Sequence, residues 1–383
     1  MEYTKLKYIN QYKSESINPA KTPDTVFELY SVPVYETGHP EYLRGDEIAS
    51  NKAIVRKNDV LLCKINPRIN RVWIVSDESD KKNIASSEWI VIRNNEYNPE
   101  FLAWYFRSNK FQRLMTSEVT GIGGSLTRAQ PKCVAEYPVP ILDREKQDKI
   151  VDILNRCKYV IEARKQEITA LDNLVKARFV EMFGDPAVND KGWKTKPLLD
   201  LGKCKNGMNF RYDDSGVEIN CLGVGDFKNL SIIDDTQKLP TVALKEMPSE
   251  EYLLKDEDIV FVRSNGNKDL VGRCLVVYPG NLPTTFSGFC IRYRKYDKEI
   301  AVSYLLRVLK MESMRRKMTG RGANIQNLNQ QILGTLVIPI PPIELQNQFS
   351  DFTQAIDKSK VAVQKALDKA QLLFDSLMQQ YFG

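Results

Sequence analysis

Between Asn58 and Arg93 the chain alternates short apolar runs with polar turns. "NDVLLCKI", "RVWIVS" and "SEWIVIR" are rich in β-branched and aromatic residues and are predicted to be strands, as is "AEYPVPI" from Ala135. The period changes in "PEFLAWYFRSNKFQRLMTS", where Phe101, Leu102, Tyr105, Phe106 and Leu114 fall near one face, predicting one helix. Beyond "PVPILDREKQ", Leu154, Ile161, Ile168, Val175 and Met182 recur every seventh residue, beside a second row of Ile150, Cys157 and Leu171. A seven-residue period held this long predicts a coiled-coil helix. From about 144 to 182 it would run roughly 57 Å, at about 1.5 Å per residue. Arg164 and Glu167 dilute the seam, and the same pattern also suits an amphipathic helix packed on its own domain.

The same order recurs later. "EDIVFVRS", "GRCLVVYP", "GFCIRYR" and "TLVIPIP" read as strands and "AVSYLLRVLKMESMRRKM" as a helix. After "PIPPIELQNQ", Phe349, Ile356, Val363, Ala370 and Leu377 form one row beside Leu367 and Phe374, with Lys360 interrupting the seam. An offset of 199 lays Pro140-Ile141 on Pro339-Ile340, Tyr105 on Tyr304, Ile92-Arg93 on Ile291-Arg292 and Phe183-Gly184 on Phe382-Gly383. From about residue 57 onward this alignment is expected to need no gap, and the chain to stop where its second copy ends. The expected fold is α+β: two similar mixed α/β domains in tandem, each followed by a long helix. The two helices are expected to pair as an antiparallel coiled coil, a strut with one domain at either end. Boundaries follow at 1–142 and 185–341 for the domains, and 143–184 and 342–383 for the helical regions.

Composition narrows the chemistry. With 42% apolar and 27% charged residues, the chain of 383 has the make-up of a soluble globular protein. Its 55 Lys and Arg against 49 acids give a charge of +6, a hint of a polyanionic partner. Cys63, Cys133, Cys157, Cys204, Cys221, Cys274 and Cys290 form no CxxC pair and His39 is the sole histidine, so no metal site is expected. Scattered thiols suit a reducing cytoplasm. "MEYTKLKYIN" lacks the apolar core of a signal peptide, and no run approaches the roughly 18 apolar residues of a membrane helix. No phosphate-binding GxxxxGK[ST] occurs, "GIGGS" follows a helix where a dinucleotide fingerprint would follow a strand, and His39 sits in loop-like "ETGHPEY". No catalytic residues and no cofactor are expected.

Basic and amide residues cluster instead. "LRVLKMESMRRKMTGR" sets Arg307, Lys310, Arg315, Arg316, Lys317 and Arg321 against the single acid Glu312. The polar loop that follows brings Asn324, Gln326 and Asn327, where the first copy has Ser125, Thr127 and Arg128. A second cluster follows the first strand of each copy: Lys64, Asn66, Arg68 and Arg71, then Arg263, Asn265 and Lys268. Lys and Arg neutralise phosphates and fix register, while Asn and Gln discriminate base edges. Any one of these residues alone reads equally as a solvated surface. The clusters, repeated with unlike loops on like strands and helices, point to two sensors for two different short duplex sequences, held at a fixed gap.

Together these segments, above all "ILDREKQDKIVDILNRCKYVIEARKQEITALDNLVKARFVEMFGDP" and "IPIPPIELQNQF", resemble the specificity subunits of type I restriction–modification enzymes over essentially the whole chain. The resemblance implies two target-recognition domains, each binding half of a split double-stranded DNA site. It also implies helical regions that dock methyltransferase subunits, two of them expected, through which the motor-endonuclease subunits join. Leu154, Ile161, Ile168, Val175, Phe349, Ile356, Val363, Leu367 and Phe374 would form the helical seam. Catalysis, ATP and S-adenosylmethionine would then belong to the partners. Other readings are a stand-alone DNA-binding regulator derived from such a subunit, a nuclease with a hidden site, and a coiled-coil scaffold without DNA affinity.

Overall fold

The computed structural model describes residues 2–76, 78–117, 119–120, 127–210, 216–227, 231–296, 299–319 and 327–383. The chain divides into two compact units, Met1–Gln166 with Gln364–Gly383, and Glu167–Val363. The longer helices are α1 (Pro99–Arg107), α2 (Asn109–Ser117), α3 (Arg144–Phe183), α4 (Val302–Lys310), α5 (Glu312–Thr319) and α6 (Ile343–Phe382). Where the sequence predicts one helix over 99–117, the structure has two. Ser108 is extended (ψ 150°), and its Oγ accepts the Phe111 amide at 3.3 Å, capping α2. Met311 breaks the second helix in the same way (ψ 137°). The break turns α1 and α2 so that Phe101, Phe106, Phe111 and Met115 all face one core.

In the first unit an antiparallel sheet orders Val72–Ile74, Val60–Cys63 and Trp89–Ile92. A mixed sheet pairs Val26–Tyr30 with Glu41–Arg44 antiparallel and with Lys82–Ala85 in parallel. The second unit repeats both motifs. Asp258–Val262 lies between Cys274–Val277 and Cys290–Lys295, and Val217–Leu222 pairs Thr241–Leu244 antiparallel and Thr284–Phe286 in parallel. The extensions differ: Ser16–Ile17 and Lys52–Ile54 lengthen the mixed sheet of the first unit, whereas Gly202–Asn206 and Ile232–Ile233 lengthen the antiparallel sheet of the second.

A buried ion pair occupies the same place in each unit. Arg93 donates to Asp59 at 2.7 and 2.6 Å, and Arg294 to Asp258 at 2.7 Å twice, while the carboxylates also accept the amides of Arg56 and Lys255. These pairs correct the gapless alignment. Arg93 corresponds to Arg294, an offset of 201, and not to Arg292. In the helices Phe101, Phe111 and Met115 correspond to Tyr304, Met314 and Met318, an offset of 203, and the bridges Ile65–Arg128 and Ser264–Asn327 return it to 199. Surface-loop insertions cost little free energy, so apolar pattern survives while register slips.

Each long helix ends by plugging a core. Phe179 and Phe183 lie against Tyr304 and Phe349 in the second unit. Phe382 lies against Phe101 and Tyr105, and Phe374 against Trp104, in the first. Gly184, at φ +74°, closes α3 by donating to the Val180 carbonyl, and a Cβ there would meet Asp190 Oδ1 at 1.9 Å. Of the expected seam, Leu154, Ile161, Phe349 and Val363 are buried; Ile168, Val175, Ile356, Leu367 and Phe374 are half-buried.

Candidate nucleic-acid interface

The two polar clusters of each unit, remote in sequence, are joined by backbone hydrogen bonds. In the first unit the turn after Cys63 meets the segment 127–129: the Asn66 amide donates to the Thr127 carbonyl at 2.8 Å and Ala129 to Lys64 at 2.9 Å. Asn66 takes the left-handed conformation (φ +47°), which its short polar side chain tolerates. In the second unit Leu328 donates to the Arg263 carbonyl at 2.7 Å, and Ser264 bridges Asn327. Each unit therefore carries one polar surface built from a strand-end turn and a returning segment.

The side chains on that surface differ in what they are free to do. Arg68 is exposed in the helical turn Pro67–Ile69, and Lys64 and Asn66 are half-buried beside it. Arg71 is half-buried, its Nε inside, and Thr127 Oγ1 is buried, so both face inward. Arg128 donates to Glu88 at 3.2 and 3.3 Å, which holds its guanidinium charged. In the second unit Arg263 donates to the Gly288 carbonyl at 3.3 Å and Lys268 is exposed. Arg315 braces the turn by donating to the carbonyls of Asp269 and Val271, Arg316 pairs with Glu312, and Lys317 donates to Ala187. Ser125, Arg321, Asn324 and Gln326 lie outside the described residues.

The second unit adds a feature that the sequence pattern missed. A cleft of about 680 Å³ opens between the segments 223–226, 240–243, 264–266 and 287–289, with Asn265 and Asn327 in its wall. Phe289, 59% exposed, stands on its rim, and among the described residues no Lys or Arg lines it. The backbones of 207–209 and 286–288 touch closely there: a Cβ on Gly207 would meet the Ser287 carbonyl oxygen, and one on Gly288 the Asn209 Oδ1, both at 2.0 Å. That contact fixes the base of Phe289. Burial pushes the Cys221 thiol in the cleft up to about 12, so it is no ready nucleophile. The available signal was "SGFC", a Phe between glycine and a strand. Among the described residues no three His, Cys, Asp or Glu side chains group to hold a metal, and no helix is long and apolar enough to cross a membrane.

Residues 190–372, most of the second unit with much of α6, match the type I restriction modification DNA specificity domain. This stretch belongs to that family. A curated relative, the StySPI specificity subunit of a type I restriction enzyme from Salmonella potsdam, is 23% identical over 303 residues. That alignment covers 74% of this chain and 63% of the relative, under two thirds of its length. Among solved structures, one described under complex assembly and conformational transition of the type I R-M system matches with a TM-score of 0.65 at 19% identity, over 100% of this chain and 97% of that one. The type I S subunit from M. genitalium matches at 0.58 and 14%, over 100% and 96%. The specificity-subunit fold thus extends over the whole chain, as the sequence resemblance implies.

Proposed function

We propose that this chain is the DNA sequence-recognition subunit of a type I restriction–modification complex, non-catalytic by itself. Residues 1–142 and 185–341 act as tandem target-recognition domains, each binding one half of a bipartite duplex site. The helical regions 143–184 and 342–383 pair as an antiparallel coiled coil, set the gap and dock two methyltransferase subunits; through these the motor-endonuclease joins, in the cytoplasm. The carrying observation is the zippered polar surface found in both units at equivalent places, with Arg128 in one where Asn327 stands in the other. Helix pairing is supported within the second unit, where the end of α3 meets the start of α6 through Phe179–Phe349 and the Lys360–Asp172 pair at 2.7 Å. In the first unit Leu154 of α3 shares a core with Phe382 of α6.

Two measurements test this reading. Co-expression with a type I methyltransferase subunit from the same host should yield a stable complex, and sequencing modified bases in the host genome should show a split motif. An uninterrupted motif would sink the two-reader assignment. A chain that binds DNA but retains no methyltransferase would favour a stand-alone regulator.

A further inference from the structure

Resting on that DNA-recognition reading, we infer that the cleft of the second unit seats one unstacked, amino-bearing nucleobase (adenine, cytosine or guanine, and not thymine) against Phe289. Three observations combine. Base edges in a stacked duplex are recessed in a groove and do not enter a concavity, so a base that fills the cleft must leave the stack. Phe289, exposed and held at its root by the close 207–209 contact, offers the aromatic face on which a displaced base regains stacking.

The wall supplies the rest. Asp226 is held by accepting the Gly223 amide at 2.8 Å and brings a carboxylate acceptor to the cleft. Asn265 Oδ1 accepts the Asn267 amide at 2.8 Å, which fixes its carboxamide, while the Asn327 side chain makes no hydrogen bond within the described residues. A carboxylate acceptor beside amide donors complements an exocyclic amine next to a ring nitrogen, the pattern of adenine N6 and N1 and of cytosine N4 and N3. Guanine meets the same set through its N2 amine, N1–H and O6, whereas thymine offers a single N3–H between two carbonyl oxygens, which the Asp226 carboxylate repels. Among the described residues no Lys or Arg lines the cleft, a setting that suits a base better than a phosphate. In the first unit Arg128 occupies the bridge position of Asn327, so this seat belongs to one half-site only.

The test uses the full chain and a randomised duplex pool, followed by fluorescent analogues (2-aminopurine for adenine, pyrrolocytosine for cytosine, 6-methylisoxanthopterin for guanine) at each A, C or G of the selected second half-site. One position should brighten several-fold on binding. Exchange of that base for T should weaken binding about tenfold or more. Phe289→Ala should abolish the brightening. Asp226→Asn, which keeps an oxygen for the Gly223 amide but adds a donor, should relax the preference toward T. Two enriched half-sites with no brightening position, and an Asn327→Leu variant with unchanged preference, would overturn the cleft assignment alone. No enriched sequence at all would overturn the DNA reading and this inference with it.

Discussion

Phe382 lies edge-on to Phe101, ring centroids 5.5 Å apart, and so the last helical turn of the chain completes a core begun in its first third. Phe183 does the same against Tyr304 at 4.7 Å. Truncating a fully buried Phe costs about 3–5 kcal/mol through lost burial and the cavity left behind. Phe382→Ala should therefore speed amide exchange in α1 and α2 while leaving α4 and α5 unchanged, and Phe183→Ala should do the reverse. Hydrogen exchange read by mass spectrometry checks both; uniform loss of protection would contradict the assignment of each Phe to one core.

The Asp258–Arg294 pair is almost fully desolvated at the carboxylate, and its geometry is bidentate. Removing one partner strands a buried charge. Asp258→Ala should cost about 3–5 kcal/mol, whereas replacing both residues by apolar ones of similar volume should cost much less. Chemical denaturation of the two variants decides it, and equal losses would show that the pair acts through shape alone.

Arg292 is the exception in its sheet. It is 2% exposed with Nε and Nη1 unpartnered, at the position that Val91 holds in the first unit. Burial lowers its pKa, with the nearby Arg294 charge acting the same way. Arg292→Met should raise the stability of the second unit by on the order of 1 kcal/mol, read as a higher Tm. A lower Tm would mean the guanidinium is satisfied in solution.

How much of this was legible in the sequence depended on which forces write a local pattern. Strands such as Val60–Cys63 and the helices α3 and α6 follow from apolar period, which burial imposes directly. The break at Ser108 did not, because α1 and α2 continue one apolar stripe across it and only the Ser108 cap marks the turn. The mixed sheets stayed hidden because Val26–Tyr30 and Lys82–Ala85 pair in parallel across intervening strands. The turn residues Asn66 and Asn265 were visible as polar clusters, yet their union with 127–129 and 327–328 is a long-range backbone contact without a side-chain signature. Basic residues were legible as charge but not as role: Arg315 and Arg68 look alike in the sequence, and only one of them braces a turn.

That contrast is testable. Arg68 is exposed, so Arg68→Ala should weaken duplex binding and reduce the slope of log affinity against log salt by about 1, leaving the selected sequence unchanged. Arg315→Ala should instead loosen the turn at Asp269–Val271, altering preference at the second half-site and leaving the salt slope nearly constant. Salt titrations of both variants separate the roles, and matching slope changes would return Arg315 to the phosphate-contacting group.

If α3 and α6 set the gap, its length is a property of helical rise. Seven residues add about 10 Å to a helix, close to three base pairs at about 3.4 Å each. One heptad inserted into both helices, between Ile161 and Ile168 and between Ile356 and Val363, preserves the apolar rows, since the inserted residues repeat their period. The modified motif of cells carrying this variant should keep both half-sites and lengthen the gap by about three base pairs. Insertion into one helix alone offsets the two rows and should abolish modification. An unchanged gap in the double insertion would detach the helices from spacing, and would leave the two polar surfaces to find their half-sites independently.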